Sequence, residues 1–224
     1  LSISIIIPVR NEEDAIGSCL DRLPDCADLE ILVVDGGSTD HTRQEITSRG
    51  LVPVPSAPGR GRQQHVGARA ALKDILLFLH CDTRLPPDFI PQVQEILQQE
   101  GVAAGAFQLA IDAPGWGYRL IETGANLRSR TMQLPYGDQA LFMKSDTYFA
   151  AGGFPAQPIM EEVVLVSRLK KQGRIVIAPT AATTSARRWR QHGLVRTTVV
   201  NQLMLAGWAI GISAERLGRW YYGR

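Results

Sequence analysis

The sequence predicts an α/β protein with a mostly parallel central sheet flanked by helices and a helical tail at its C-terminal end. Strand-type apolar runs alternate with stretches of helical period over the first hundred residues, and this β-α-β-α-β-α-β order implies right-handed parallel crossovers. Three of the first four runs end in polar residues suited to one ligand. The fourth run, Leu76-Leu77-Phe78-Leu79-His80-Cys81-Asp82, delivers a carboxylate to a polar turn closed by Pro86-Pro87. Ligands of open α/β sheets bind just outside the carboxyl ends of the strands, where Asp82 stands.

The elements follow in order. Ile3–Val9 is isoleucine-rich and reads as a buried strand. Asn11 is expected to cap a helix that carries Glu12, Glu13 and Asp14 in its first turn and ends at Pro24. A second strand at 31–34 runs into Asp35-Gly36-Gly37-Ser38-Thr39-Asp40, with Asp40 as cap and Gly50 as terminator of the next helix. A short strand at 51–54 precedes Gly59-Arg60-Gly61-Arg62, which opens a helix to about residue 73. Beyond Asp82 come a helix at 87–100, a long strand at 102–111, a helix at 116–130, a polar loop at 135–139 and a strand at 140–143. A short helix at 145–151, a tight turn at 152–155, a helix at 159–172 and a last clear strand at 174–178 complete the main body. An amphipathic stretch from 195 to about 222 follows, with Leu203, Leu205, Trp208, Ile212 and Leu217 as its expected greasy face.

Composition bounds the function classes. The 224 residues are 45% hydrophobic and 21% charged, ordinary for one globular domain. Net charge is +2, but residues 187–224 hold seven Arg against one Glu, so +6 lies there and −4 in the rest. That tail fits a solvated basic face or an anionic partner: phosphate, a membrane surface or nucleic acid. Without a repeated basic-aromatic platform, no nucleic-acid partner is expected. Cys19, Cys26 and Cys81 form neither a metal spacing nor an even disulfide framework, which fits a reducing cytosol. The chain opens on a strand, so no signal peptide is expected. Its longest apolar stretch, 203–212, is too short to span a bilayer. The expected location is therefore cytoplasmic, with peripheral contact at the inner face of a membrane through the C-terminal segment, or a homodimer, left open.

Candidate binding residues follow from the strand ends. A nucleotide would meet Arg10, Asn11 and Glu12 after the first strand, Asp35 after the second, and His80 and Asp82 after the fourth. Asp35 suits a ribose or base, and Arg60 and Arg62 suit a diphosphate.

With these pieces placed, nearly the whole chain resembles the family 2 glycosyltransferases of GT-A fold, the Rossmann-like nucleotide-diphospho-sugar transferase fold. Ser4-Ile5-Ile6-Ile7-Pro8-Val9-Arg10-Asn11-Glu12 is similar to the family's opening nucleotide strand. Val33-Val34-Asp35-Gly36-Gly37-Ser38-Thr39-Asp40 is similar to its VVDDGSTD motif. His80-Cys81-Asp82 stands at its DxD metal motif, Met160-Glu161-Glu162 at its ED pair, and Arg188-Trp189 at the RW of QxxRW. Gly137-Asp138-Gln139, with Arg60, Gln63 and Arg188-Trp189, looks most like a small bacterial subgroup associated with radical-SAM or selenoprotein-linked domains.

The resemblance implies a hexosyltransferase acting with inversion on a UDP- or GDP-sugar and an unidentified acceptor, assisted by Mn²⁺ or Mg²⁺. It divides 1–224 into a nucleotide-binding half (1–100), an acceptor and catalytic half (101–186) and a basic amphipathic segment (187–224). Nucleotide contacts carry over to Pro8, Arg10, Asn11, Glu12, Asp35, Arg60, Arg62 and Gln63. Asp82 becomes the metal ligand. His80, where the motif has Asp, is either a softer ligand or a hydrogen-bonding neighbour of one. Glu162, with Glu161 as alternative, becomes the base, expected to be charged at neutral pH beside a helix N-terminus. Asp138, Gln139, Arg188, Trp189 and Trp116 are the candidate acceptor platform. The QxxRW glutamine is replaced by Ser185, which implies a non-processive enzyme. A nucleotidyltransferase is disfavoured, because no glycine-rich phosphate loop follows the first strand. A non-catalytic sugar-nucleotide-binding or scaffold protein is the alternative that the altered motifs leave open.

Overall fold

The structure is a computed structural model and describes residues 1–223. Its strands are β1 (Ile3–Val9), β2 (Leu29–Asp35), β3 (Val54–Pro55), β4 (Ile75–Phe78), β5 (Thr83–Arg84), β6 (Val102–Asp112), β7 (Phe142–Lys144) and β8 (Arg174–Ser185). They form one sheet in the order β3-β2-β1-β4-β7-β6-β8-β5. The β3-β2-β1-β4 block and the β6-β8 pair are parallel, while β7 and β5 pair antiparallel with their neighbours. The chain reverses direction across the sheet between β1 and β4, which opens the ligand crevice there.

The helices are α1 (Glu13–Leu20), α2 (Thr42–Thr47), α3 (Arg60–Ala70), α4 (Phe89–Gln98), α5 (Trp116–Met132), α6 (Ser145–Ala150), α7 (Glu161–Leu169), α8 (Arg187–His192), α9 (Leu194–Ala209) and α10 (Ala214–Tyr222). Both faces of the central strands are covered, so these strands read as unbroken apolar runs. Ile3, Ile5 and Ile7 pack on one face with Ile16, Val93 and Leu97. Ile6 packs on the other with Leu76, Phe78, Tyr148 and Leu165. All of the isoleucines in β1 are wholly buried. Truncating one to Ala is expected to cost about 2–5 kcal/mol.

Several boundaries and roles differ from expectation. Asn11 is not the cap of α1. It has φ 55°, and its Oδ1 accepts from the Thr39 N–H. The first N–H groups of that helix are met from the β2–α2 loop instead: Glu12 donates to Thr42 Oγ1 at 2.8 Å and Glu13 to Asp40 Oδ2 at 3.3 Å. β4 ends at Phe78, and His80 to Asp82 curl away from it. The Ser185 N–H donates to the Asp82 carbonyl at 3.0 Å, so β8 steers this turn. β8 itself runs twelve residues, well past the expected end at residue 178. Its second half is Pro-, Ala- and Thr-rich and gains strand form from pairing with β6 and β5. The amphipathic tail is three helices, broken at Gly193 (φ 83°) and Gly211 (φ 87°). Leu217 is wholly buried, and Leu205, Trp208 and Ile212 lean on the core, but Leu203 points outward at 59% exposure.

Candidate active site

Two spaces meet at the carboxyl ends of β1 and β4. A cavity of about 190 Å³ is lined by His80, Asp82, Asp138, Glu161, Glu162 and Trp189, with Tyr136 and Arg188 at its edge. Beside it lies a cleft of about 980 Å³, with Arg10, Gly59, Arg62 and Gln63 on one wall and Gln157, Pro158, Glu215, Arg219 and Tyr222 on the other. Arg60 lines both. The cleft lies in the size range of small-molecule sites, whereas the cavity alone holds only a fragment of such a ligand.

The cavity is a concentration of unsatisfied polarity. His80 Nε2, Asp138 Oδ1, Glu162 Oε1 and both Glu161 oxygens are cut off from solvent without a hydrogen-bond partner. Buried polar groups normally find partners, so each is a candidate contact for a ligand. Gly137 keeps the space open: a Cβ there would stand 2.5 Å from Glu162 Oε1 and 2.8 Å from His80 Nε2.

Arg60 supplies the counter-charge. Its Nε lies 2.8 Å from Glu161 Oε1, an ion pair without hydrogen-bond alignment, and its Nη1 lies 3.7 Å from Glu162 Oε1. One guanidinium does not satisfy two buried carboxylates. Burial first, then the charges of Glu161 and Asp138, push the Glu162 carboxyl up to about 7 against the pull of Arg60. The helix N-terminus, expected to favour the charged form of Glu162, is opposed here by desolvation, so the carboxyl titrates around neutrality and not well below it. Asp82 and Asp138 are also raised by burial, opposed chiefly by Arg187 and Arg128 respectively. Burial and the charge of Arg60 drive His80 down to about 3, leaving a neutral imidazole able to accept, donate or ligate. Burial and Arg60 lower Arg188, whose guanidinium stacks 4.7 Å from the Tyr221 ring centre.

Other expected site residues are spent on the protein itself. Gln139 is fully buried. It accepts from Ser129 Oγ and the Tyr136 N–H and donates to the Phe107 carbonyl, so it is no acceptor contact. Gln63 Nε2 donates to the Val9 and Val34 carbonyls and clamps β1 to β2, although its side chain borders the cleft. Asp35 is 1% exposed and bonded to Ser38 and Arg43. Pro8, Asn11, Glu12 and Asp35 line neither space. Trp116 is 83% exposed and far from an acceptor role as an enclosed platform. Trp189 lines the cavity while packing on Leu109 and Ala186.

The structure adds residues that local sequence did not single out. Arg187 pairs with Glu12 at 2.8 Å and lends positive charge to Asp82. Its neighbour Arg188 was the only signal for it. Tyr136 stacks under Arg128 at 3.7 Å and lines the cavity. Arg219 and Tyr222 arrive from α10, where the basic, amphipathic tail pointed to an anionic partner without naming these residues.

The model of glycosyl transferase family 2 matches residues 4–154. The chain belongs to this family. Within this family 2 domain, the matched stretch stops short of Glu161, Glu162 and Trp189. A glucosyl-3-phosphoglycerate synthase of Mycolicibacterium paratuberculosis is 34% identical over 115 residues, which is 45% of this chain and 35% of that protein. The chain therefore matches about a third of the length of such curated relatives. The glucosyl-3-phosphoglycerate synthase of Mycobacterium tuberculosis, solved with Mn²⁺ and UDP-glucose, superposes with TM-score 0.60 at 21% identity, over 90% of this chain and 78% of that one. A mannosyltransferase of Pyrobaculum calidifontis, solved with GDP-mannose and Mn²⁺, superposes with TM-score 0.63 at 19% identity, over 82% and 56%. The family 2 domain has the GT-A fold. No helix among its described residues is long and apolar enough to cross a membrane.

Proposed function

We propose that the protein transfers a hexosyl group from a nucleoside-diphosphate sugar to an acceptor hydroxyl, with inversion and one residue per encounter. The observation that carries this reading is the junction at Arg60. An arginine-lined cleft suited to a diphosphate opens there onto a cavity that holds Glu162, whose buried Oε1 makes no hydrogen bond and has only the more distant Arg60 guanidinium as counter-charge. The donor diphosphate lies toward Arg10, Arg60 and Arg62, with its sugar in the cavity. Glu162 takes the acceptor O–H proton on Oε1 as the acceptor oxygen attacks the anomeric carbon, and the bond to the diphosphate breaks on the opposite side. Glu161 holds Arg60 in place, and Trp189 and Asp138 border the acceptor. Relatives solved with UDP-glucose and GDP-mannose support a UDP- or GDP-linked donor.

A divalent cation fits this site only in part. No cluster of three or more His, Cys, Asp or Glu side chains occurs among the described residues. Asp82 lines the cavity with the neutral His80, and with Asp138, Glu161 and Glu162, but no three of these side chains converge on one point. That donor set suits Mn²⁺ or Mg²⁺ if the substrate's phosphates complete the coordination. The cation would neutralise charge on the departing diphosphate, together with Arg60 from the protein side. The narrower kinship with the radical-SAM and selenoprotein-associated transferases rests on Gly137-Asp138-Gln139, with Arg60, Gln63 and Arg188-Trp189, alone. The division into a donor half at 1–100 and a catalytic half at 101–186 is part of the same proposal.

His80 and Glu162, which stand where the family carries Asp, favour the second reading, a protein that binds a sugar nucleotide without transferring it. Thermal melting with UDP-, GDP- and other nucleotide sugars, each with and without Mn²⁺, separates these possibilities when joined to a product assay. A native-state ligand raises the melting temperature by mass action. Metal-dependent stabilisation that Asp82→Ala removes, together with product formation, is the expected result. Stabilisation without product favours the binding reading, and no stabilisation by any nucleotide sinks both.

A further inference from the structure

We propose that the outward faces of α5 and α9 seat this protein on an anionic lipid surface. The proposal does not depend on the transfer reading. α5 buries one side, with Tyr118, Ile121 and Ala125 packed near Leu109 and Ile111. On its other side it exposes Trp116 (83%), Leu120 (64%) and Leu127 (61%), which share one stripe at helical spacing. α9 likewise turns Thr197, Met204 and Gly207 inward. It exposes Val195, Val199 and Leu203 at intervals of four, the first at 71%. The two helices meet where Gly117 faces Leu194; a Cβ on Gly117 would lie 3.4 Å from the leucine methyls. Single exposed apolar side chains are ordinary on a protein surface. Two adjoining helices that each present an aligned apolar stripe mark an interaction surface.

The charges around these stripes choose the partner. Exposed Arg130 flanks the stripe of α5, Arg196 flanks that of α9, and Arg190 precedes it in α8. Glu122 is the one acid in α5. It is 12% exposed and already held by Arg119 and the Ile111 N–H. α8 and α9 contain no acid at all. A two-fold contact with a second copy would set this arginine rim against itself, because isologous interfaces pair a surface with its own image. Anionic headgroups complement it, and the apolar stripes enter the headgroup–acyl boundary with Trp116 at interfacial depth. Neither helix crosses a bilayer, so the protein would lie on the surface.

The test is co-sedimentation of the full chain with vesicles of phosphatidylcholine alone and with vesicles carrying about a third phosphatidylglycerol, at low and high salt. Binding confined to the anionic vesicles and weakened by salt is expected. Leu120→Glu and Val199→Glu should each weaken it at least about tenfold, and Arg196→Gln about fivefold. Melting curves that match the wild type exclude misfolding of these surface variants. No binding to anionic vesicles, or binding unchanged in Leu120→Glu, overturns the proposal. Light scattering that shows a dimer lost in Val199→Glu, with no vesicle binding, assigns the face to a second copy instead. Nucleotide-sugar melting shifts measured without lipid test the transfer reading separately, so the two can fail independently.

Discussion

Buried polar side chains at the β1–β2 end of the sheet and those at the β4–α7 end have opposite fates. At the first, Asp35 and Gln63 give their polar atoms to a loop, to Arg43 and to strand carbonyls of the protein. At the second, His80, Asp138, Glu161 and Glu162 keep atoms with no partner. A satisfied polar group stabilises the fold, while an orphaned one costs stability until a ligand arrives. The first end is scaffold, and the second is the end that the proposed transfer uses. Gln139 sits within the second set in sequence, next to Asp138, yet belongs to the scaffold, because Ser129 and Phe107 hold it.

The largest expected effect tests the unsatisfied end. Glu162→Gln removes the base while conserving shape, so transfer should fall about 10²–10⁴-fold with nucleotide binding retained. Wild-type turnover in a calibrated assay would remove Glu162 from that role. The same residue gives a pH signature. Wild-type transfer should rise as pH climbs through about 7, where Glu162 ionises. Its carboxyl binds the proton more tightly folded than unfolded, where its ordinary value is near 4.5. Its contribution to stability is therefore full below pH 4.5 and lost as pH rises through about 7. Urea titrations should show Glu162→Gln gaining on the wild type as pH moves from 5 to 8. An advantage independent of pH would place the strain elsewhere.

An intermediate effect is expected at the scaffold end. Gln63→Leu withdraws a donor from two buried carbonyls and should cost about 1–3 kcal/mol in urea denaturation. Should the loss appear in catalysis at full stability instead, Gln63 would belong to the reactive end. The smallest effect concerns the Arg187–Glu12 ion pair. Arg187 and Glu12 are 43% and 22% exposed, so Arg187→Gln should change stability by only about 0–1 kcal/mol. Its donor affinity should drop more visibly, and an unchanged affinity would mean that Arg187 serves the protein's surface alone.

Sequence by itself determined the sheet, its order through β4, and the carboxyl ends where a ligand is met. Isoleucine-rich runs, turn residues and helix periods are local signals, and local signals carry that information. It also marked Asp82, Glu161, Glu162 and Trp189, which the fold gathers around one cavity. Which polar residues stay free was decided only in three dimensions. Whether Asp35 or Gln139 is a ligand contact depends on partners up to 32 residues away, and whether Glu162 is charged depends on burial and on Arg60, a hundred residues earlier. The second half of β8 and the α10 wall of the cleft are likewise tertiary, because pairing and packing supply what their local sequence does not. Desolvation and hydrogen-bond competition have no signature in a linear string, since both are set by what the completed fold puts next to each group.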